Sequence, residues 1–124
     1  MGAFRIDVEV CRPGRRSRRL AVPRVLVDTG AELSWLPEGV LRAIGVEILK
    51  PGERFVTADG REIRRDVAIA VLRAGGFTTV DEVVLARPGD LSLLGARTIE
   101  GFNAVVDLRH KRLVAAGPMP AAAA

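Results

Sequence analysis

The chain has 124 residues, enough for one domain with a modest core, and it carries one cysteine and one histidine. Cys11 alone excludes an intramolecular disulfide and a cysteine-based zinc site, and His110 alone excludes a metal site built on several imidazoles, so no cofactor or metal is expected. The 48% hydrophobic content, with 13 Gly, 7 Pro and no Tyr, suits a β-rich domain with many tight turns, and the net charge of +4 is moderate.

Phe4, Ile6, Val8 and Val10 alternate with Arg5, Asp7 and Glu9, the pattern of a half-buried strand. That alternation is no signal-peptide core, and Ile6 stands where a myristoylation signal at Met1-Gly2 needs Ser or Thr. No apolar run approaches the roughly 18 residues of a membrane span, so no membrane partner and a cytoplasmic location are expected. Pro13-Gly14 makes a turn among Arg12, Arg15, Arg16, Arg18 and Arg19. This cluster reads as a solvated hairpin tip; no aromatic residue lies within it to stack on bases, and no nucleic acid is expected. Arg19 to Asp28 returns as a strand with Leu20, Val22, Val25 and Val27 inward, and Pro23, which lacks a donor, predicts an edge or a bend.

Trp35 reads as a residue packed behind the Asp28-Thr29-Gly30 loop rather than as a binding platform, and Pro37 to Gly45 as a short helix with proline at its start and glycine at its end. Arg54 to Ala58 and Arg61 to Ile63 flank Asp59-Gly60, the strongest two-residue hairpin signal. Val67, Ile69 and Val71 continue the outgoing strand to Gly75-Gly76, and Phe77 to Ala86 forms the next, ended by Pro88-Gly89. Leu91 to Leu94 reads as short and buried, and Ala96 to Glu100 as one or two helical turns. Asn103 to Asp107 pairs with Arg112 to Ala115 across a polar turn that holds His110. Residues 1–116 form the expected domain and residues 117–124 a frayed tail.

The stretch Val25-Leu26-Val27-Asp28-Thr29-Gly30-Ala31 is an apolar strand ending in a carboxylate. A carboxylate against apolar surroundings costs several kcal/mol, roughly, unless it is hydrogen-bonded or shares a proton, and function is the usual reason a chain keeps it. Leu91-Ser92-Leu93-Leu94-Gly95-Ala96 repeats the pattern without the Asp. The order of N-terminal hairpin, Asp28-Thr29-Gly30-Ala31, a hairpin with an Asp59-Gly60 tip, then Leu93-Leu94-Gly95 and a short helix resembles the retropepsin-like aspartic proteases. The likeness is to their small bacterial single-motif members and covers roughly residues 4 to 115.

The resemblance implies an all-β, closed-barrel-like acid-protease fold with one or two short helices, in which two identical chains make one site. Asp28 would be the catalytic carboxylate, Thr29 would lock the two active-site loops across the dimer axis, and Gly30 would leave room for substrate backbone. Ala58, Asp59 and Gly60 would form a flap tip, and Leu26, Ala31 and Leu93 would line side-chain pockets. Ala96 stands where retroviral members place an Arg, with Arg97 one place later, and the flap has one glycine instead of a run. The implied activity is an aspartic endopeptidase, working as a homodimer on a peptide or protein substrate and cutting between apolar residues. The alternative is a peptide-binding or dimerisation module that keeps the fold without turnover.

Overall fold

In the computed structural model, residues 3–123 are described. Met1 and Gly2 of the expected domain, and Ala124 of the expected tail, lie outside the described residues. The alternating N-terminal residues form β1 (Arg5–Cys11), which pairs antiparallel with β2 (Arg19–Val27). Between Ile6↔Val25 and Val8↔Val22 the register slips, leaving an extra residue on β2 at Pro23-Arg24. This bulge is the bend that Pro23 predicted. Arg24 sits at φ +55, its N–H donating to Asp7 Oδ1 at 3.0 Å and its carbonyl accepting from Arg5 Nη1 at 3.0 Å. Val22, Val25 and Val27 point inward as expected. Leu20 does not: it lies at the end of β2 where only β1 pairs with it, and it is exposed.

A short strand the sequence did not reveal, β3 (Ser34–Pro37), leads into α1 (Glu38–Ala43), which ends at Gly45 with φ +78. The remaining elements are β4 (Ile48–Val56), β5 (Glu62–Ala74), β6 (Phe77–Ala86), β7 (Leu93–Leu94), α2 (Ala96–Gly101), β8 (Ala104–Asp107) and β9 (Arg112–Ala115). On β5 the core face is Ala68, Ala70, Leu72 and Ala74, while Ile69 is exposed on the other. Leu91, expected to be buried with its neighbours, is exposed, because β7 begins only at Leu93.

The strands run in the order β1-β2-β7-β3-β6-β5-β4, and β1 also pairs with β5 through Glu9↔Arg73, Val10↔Leu72 and Cys11↔Val71. The first six strands of that order therefore close on themselves, and β4 extends beyond the ring with β5 as a long hairpin. This is the all-β, closed architecture expected. Closure surrounds a core that includes Val10, Val25, Leu36, Leu72, Leu85 and Leu94. α2 adds Ile99 to this core, and Phe102 just after it stacks its ring on Phe77 at 6.0 Å. β8 and β9 form a separate two-stranded sheet. Asn103 fastens the start of the tail, its Nδ2 donating to Gly117 O at 2.7 Å.

One ion pair clamps the long hairpin to the β6–β7 loop. Arg65 on β5 grips Asp90 with two bonds, Nε to Oδ2 at 2.7 Å and Nη2 to Oδ1 at 2.9 Å, and the side chains are only 13% and 16% exposed. The Arg87 N–H adds a third bond to the carboxylate at 2.9 Å. The Arg65 guanidinium therefore holds the Asp90 carboxyl below its ordinary range, the Arg87 N–H adding to the effect. A depressed carboxylate lends stability at pH values above its unfolded value and loses it as pH falls through the folded one. We predict that Asp90→Asn costs about 2 kcal/mol at pH 7 in urea unfolding. The gap between wild type and variant should narrow below about pH 4; a gap independent of pH would contradict this assignment.

Candidate active site

β2 reaches Asp28 between two partners. It pairs parallel with β7 through Leu26↔Leu93 and Val27↔Leu94, and the ladder continues as Asp28 N–H donates to Leu94 O at 3.0 Å. On the other side Val27 N–H donates to Phe4 O at 3.0 Å. The chain then turns on the Asp28 side chain itself, with Gly30 N–H donating to Oδ1 at 2.9 Å, an Asx-type turn. Asp28 is half-buried while Thr29 and Gly30 are exposed. A Cβ on residue 30 would stand 3.1 Å from the carboxylate, so glycine keeps that oxygen uncrowded. Oδ2 of Asp28 and the Thr29 hydroxyl have no hydrogen-bond partner among the described residues.

Behind this loop the chain crosses the β7–α2 junction. Ala96 N–H donates to Ala31 O at 2.8 Å and Arg97 N–H to Glu32 O at 3.1 Å. The crossing is so close that a Cβ on Gly95 would fall 2.6 Å from the carbonyl carbon and oxygen of Leu33. A buried polar chain fixes it further. Gly95 N–H donates to Ser34 Oγ at 2.9 Å, Ser34 Oγ and Thr98 Oγ1 lie 2.6 Å apart, and Thr98 Oγ1 donates to Asp81 Oδ2 at 2.9 Å. Since the Thr98 proton goes to Asp81, Ser34 is the donor to Thr98, and the chain runs one way from backbone to carboxylate. Ser34 and Thr98 are fully buried. Removing the middle link strands a buried N–H, so Ser34→Ala should cost about 2 kcal/mol in denaturant unfolding. A variant as stable as wild type would show that the chain carries no net stabilisation.

Arg97, one place after Ala96, bridges two carboxylates at this junction. Its Nε lies 3.4 Å from Glu32 Oε2 and its Nη1 3.1 Å from Glu82 Oε2. Lys50 Nζ reaches the other oxygen of Glu82 at 2.7 Å, and this bond above all holds the Glu82 carboxyl below its ordinary range.

The β4–β5 hairpin ends in a wider turn than Asp59-Gly60 predicted. Thr57 N–H donates to Arg61 O at 2.8 Å, Gly60 N–H to Thr57 O at 2.9 Å, and Gly60 has φ +86 while Asp59 does not take a positive φ. The loop is therefore Ala58-Asp59-Gly60, a turn closed by a left-handed glycine. All three residues are exposed. The Thr57 hydroxyl bonds to Asp59 and chiefly accounts for lowering that carboxyl below its ordinary range, while Arg61 Nε approaches it at 3.2 Å.

Between the tip end of this hairpin and the loop after Asp28 lies a groove of about 430 Å³. Ala31, Leu33, Trp35, Phe55, Val56 and Ile63 give it an apolar lining, and Glu32, Thr57 and Arg97 complete it. Of the expected pocket residues, Ala31 lines it. Leu26 and Leu93 do not; they are register partners in the β2–β7 ladder. Trp35, expected behind the loop, lines the groove and meets the edge of Phe55 at 5.1 Å and 63°. Trp35 and Phe55 were thus missed as groove residues; Phe55 and Ile63, which pair across the hairpin, are the apolar residues flanking its tip that could have pointed to it.

Among the described residues no group of three His, Cys, Asp or Glu side chains is placed to hold a metal ion, and no helix is long and apolar enough to cross a membrane. A search of curated proteins finds no match. A family model described as gag-polyprotein putative aspartyl protease matches residues 22–100, from the middle of β2 through the Asp28 loop and the long hairpin into α2. The chain belongs to this retropepsin-like family of aspartyl proteases.

Proposed function

We propose that the chain is an aspartic endopeptidase that works as a homodimer, with one Asp28 from each copy forming the catalytic pair. The observation that carries the reading is the Asp28 loop. Its carboxylate is half-buried at the end of a doubly paired strand and oriented by Gly30 N–H, with Thr29 and Gly30 exposed beside it. A second copy meeting the first at this loop would bring the two carboxylates together, with the Thr29 hydroxyls bonding across the axis.

Two carboxylates roughly 3 Å apart cannot both ionise, so the pair holds one proton. The ionised member takes a proton from water, and the oxygen of that water attacks the peptide carbonyl. The protonated member polarises the carbonyl and then protonates the leaving nitrogen. Gly30 leaves space for the substrate backbone, which lies extended beneath the Ala58-Asp59-Gly60 tip. Ala31, with Trp35, Phe55 and Ile63, receives a large apolar side chain, while Leu26 and Leu93 support the strand that presents Asp28. Residues 1–116 form the catalytic unit and 117–124 an appended tail. The single, buried, free Cys11 suits a reducing compartment, and we place the activity in the cytoplasm.

Incubation of the full chain with a mixed peptide library from pH 4 to 8 tests the reading. Cleavage between apolar residues, with a bulky or aromatic side chain on one side of the cut, is the expected result. Peptide binding without cleavage by a confirmed dimer would overturn it in favour of a non-catalytic peptide-binding module.

A further inference from the structure

The β1–β2 turn lies at the opposite end of β2 from Asp28, roughly 25–30 Å away at about 3.3 Å per residue. Two successive turns shape it, Arg15 N–H donating to Arg12 O at 3.0 Å and Arg18 N–H to Arg15 O at 3.1 Å. This three-residue repeat gathers Arg12, Arg15 and Arg18 around a cleft of about 210 Å³, closed by Ala43, Ile44 and Gly45 at the end of α1. Arg12 is held there by a bond from Nη1 to Gly45 O at 3.5 Å. Arg19 pairs with Glu9, but none of Arg12, Arg15, Arg16 and Arg18 has a carboxylate partner among the described residues. Arg12 and Gly45 also border a second cavity of about 440 Å³, whose other lining is Pro13, Leu49, Ile69 and Glu47. Leu49 and Ile69 are exposed apolar side chains, unusual companions for a solvated tip.

The surface thus joins a cationic cleft to a cavity with an apolar floor and a single carboxylate, Glu47. We infer that it binds an acidic peptide segment, with carboxylates in the arginine cleft and a following apolar side chain on Leu49 and Ile69. Clustered guanidiniums repel one another until an anion joins them, and carboxylates match their forked geometry. A nucleic acid fits less well. No aromatic residue lines either cavity, and Glu47 would face the phosphate backbone. The two cavities share no residue with the groove beside Asp28, so this binding does not depend on catalysis.

Fluorescence anisotropy of a labelled decapeptide with three glutamates followed by two leucines, titrated with full-length Asp28→Asn protein, tests the inference without cleavage. Binding should weaken at least tenfold in an Arg15→Ala/Arg18→Ala variant, at least fivefold with Leu49→Ser, and with rising salt. Absence of binding would overturn the inference. Equal binding of a peptide with serines for leucines, indifference to the variants, or tighter binding of a single-stranded oligonucleotide of matched charge would also overturn it.

Discussion

Asp28→Asn should lower the rate of peptide cleavage by about 10³–10⁴-fold while leaving fold and association intact. The amide is nearly the same size as the carboxylate, and its oxygen can still accept the Gly30 N–H now bonded to Oδ1 at 2.9 Å. The loop therefore keeps its shape. What is lost is chemistry: an amide neither takes a proton from water nor returns one to a leaving nitrogen. Two neutral amides at close range need no shared proton, because they carry no charges to repel, so association is not weakened. Turnover on a cleavable peptide, with melting temperature and sedimentation measured in parallel, separates the two effects. A variant that folds, associates and cleaves at the wild-type rate would remove Asp28 from the mechanism.

The second large effect is structural, and it falls on a residue with no chemistry of its own. Gly95→Ala should destabilise the protein by about 3 kcal/mol, because its methyl group would need the space of the Leu33 peptide, 2.6 Å away. Backbone atoms held by Ala31–Ala96 and Glu32–Arg97 hydrogen bonds cannot swing aside as a flexible side chain would. The strain would reach Asp28 through Leu94, whose carbonyl accepts the Asp28 N–H. Gly39→Ala in α1 is the matched control. Nothing lies within 4 Å of its Cβ, so it should be neutral or stabilise the protein by about 0.5 kcal/mol. Urea unfolding of both variants decides the matter, and equal midpoints would show that the crossing relaxes without cost.

The parts legible in the sequence were those that local pattern determines. Alternation marked β1 and β2; Pro88-Gly89 marked the end of β6; Pro37 and Gly45 bracketed α1; and the apolar lead into Asp28-Thr29-Gly30-Ala31, in its order along the chain, carried the family resemblance. β3 escaped because four residues ending in proline carry too little periodicity, and its partners, β6 and β7, lie far along the chain. The Ser34–Thr98–Asp81 chain escaped for the same reason: its members are ordinary polar residues until the fold joins positions 64 and 17 apart.

The hairpin tip shows a local rule yielding to a competing local interaction. Asp59-Gly60 favours a two-residue turn, but the Thr57 side chain accepts from Arg61 N–H at 3.1 Å and bonds to Asp59, which stabilises the three-residue form. Leu26 and Leu93 were assigned to pockets by the family resemblance alone; they pair in register between β2 and β7, and the groove beside the Asp28 loop takes its apolar lining from Ala31, Leu33, Trp35 and the hairpin.

The central claim is that each active site is made from two chains, and a mixing experiment tests it most directly. Wild-type protein is combined with increasing amounts of Asp28→Asn at constant total concentration, and peptide cleavage is followed after subunit exchange. If both copies supply a carboxylate, only wild-type pairs cleave, and an equal mixture retains about one quarter of the activity of pure wild type by random pairing. Activity that falls only in proportion to the wild-type fraction, to about one half in the same mixture, would mean that a single chain suffices and would contradict the account.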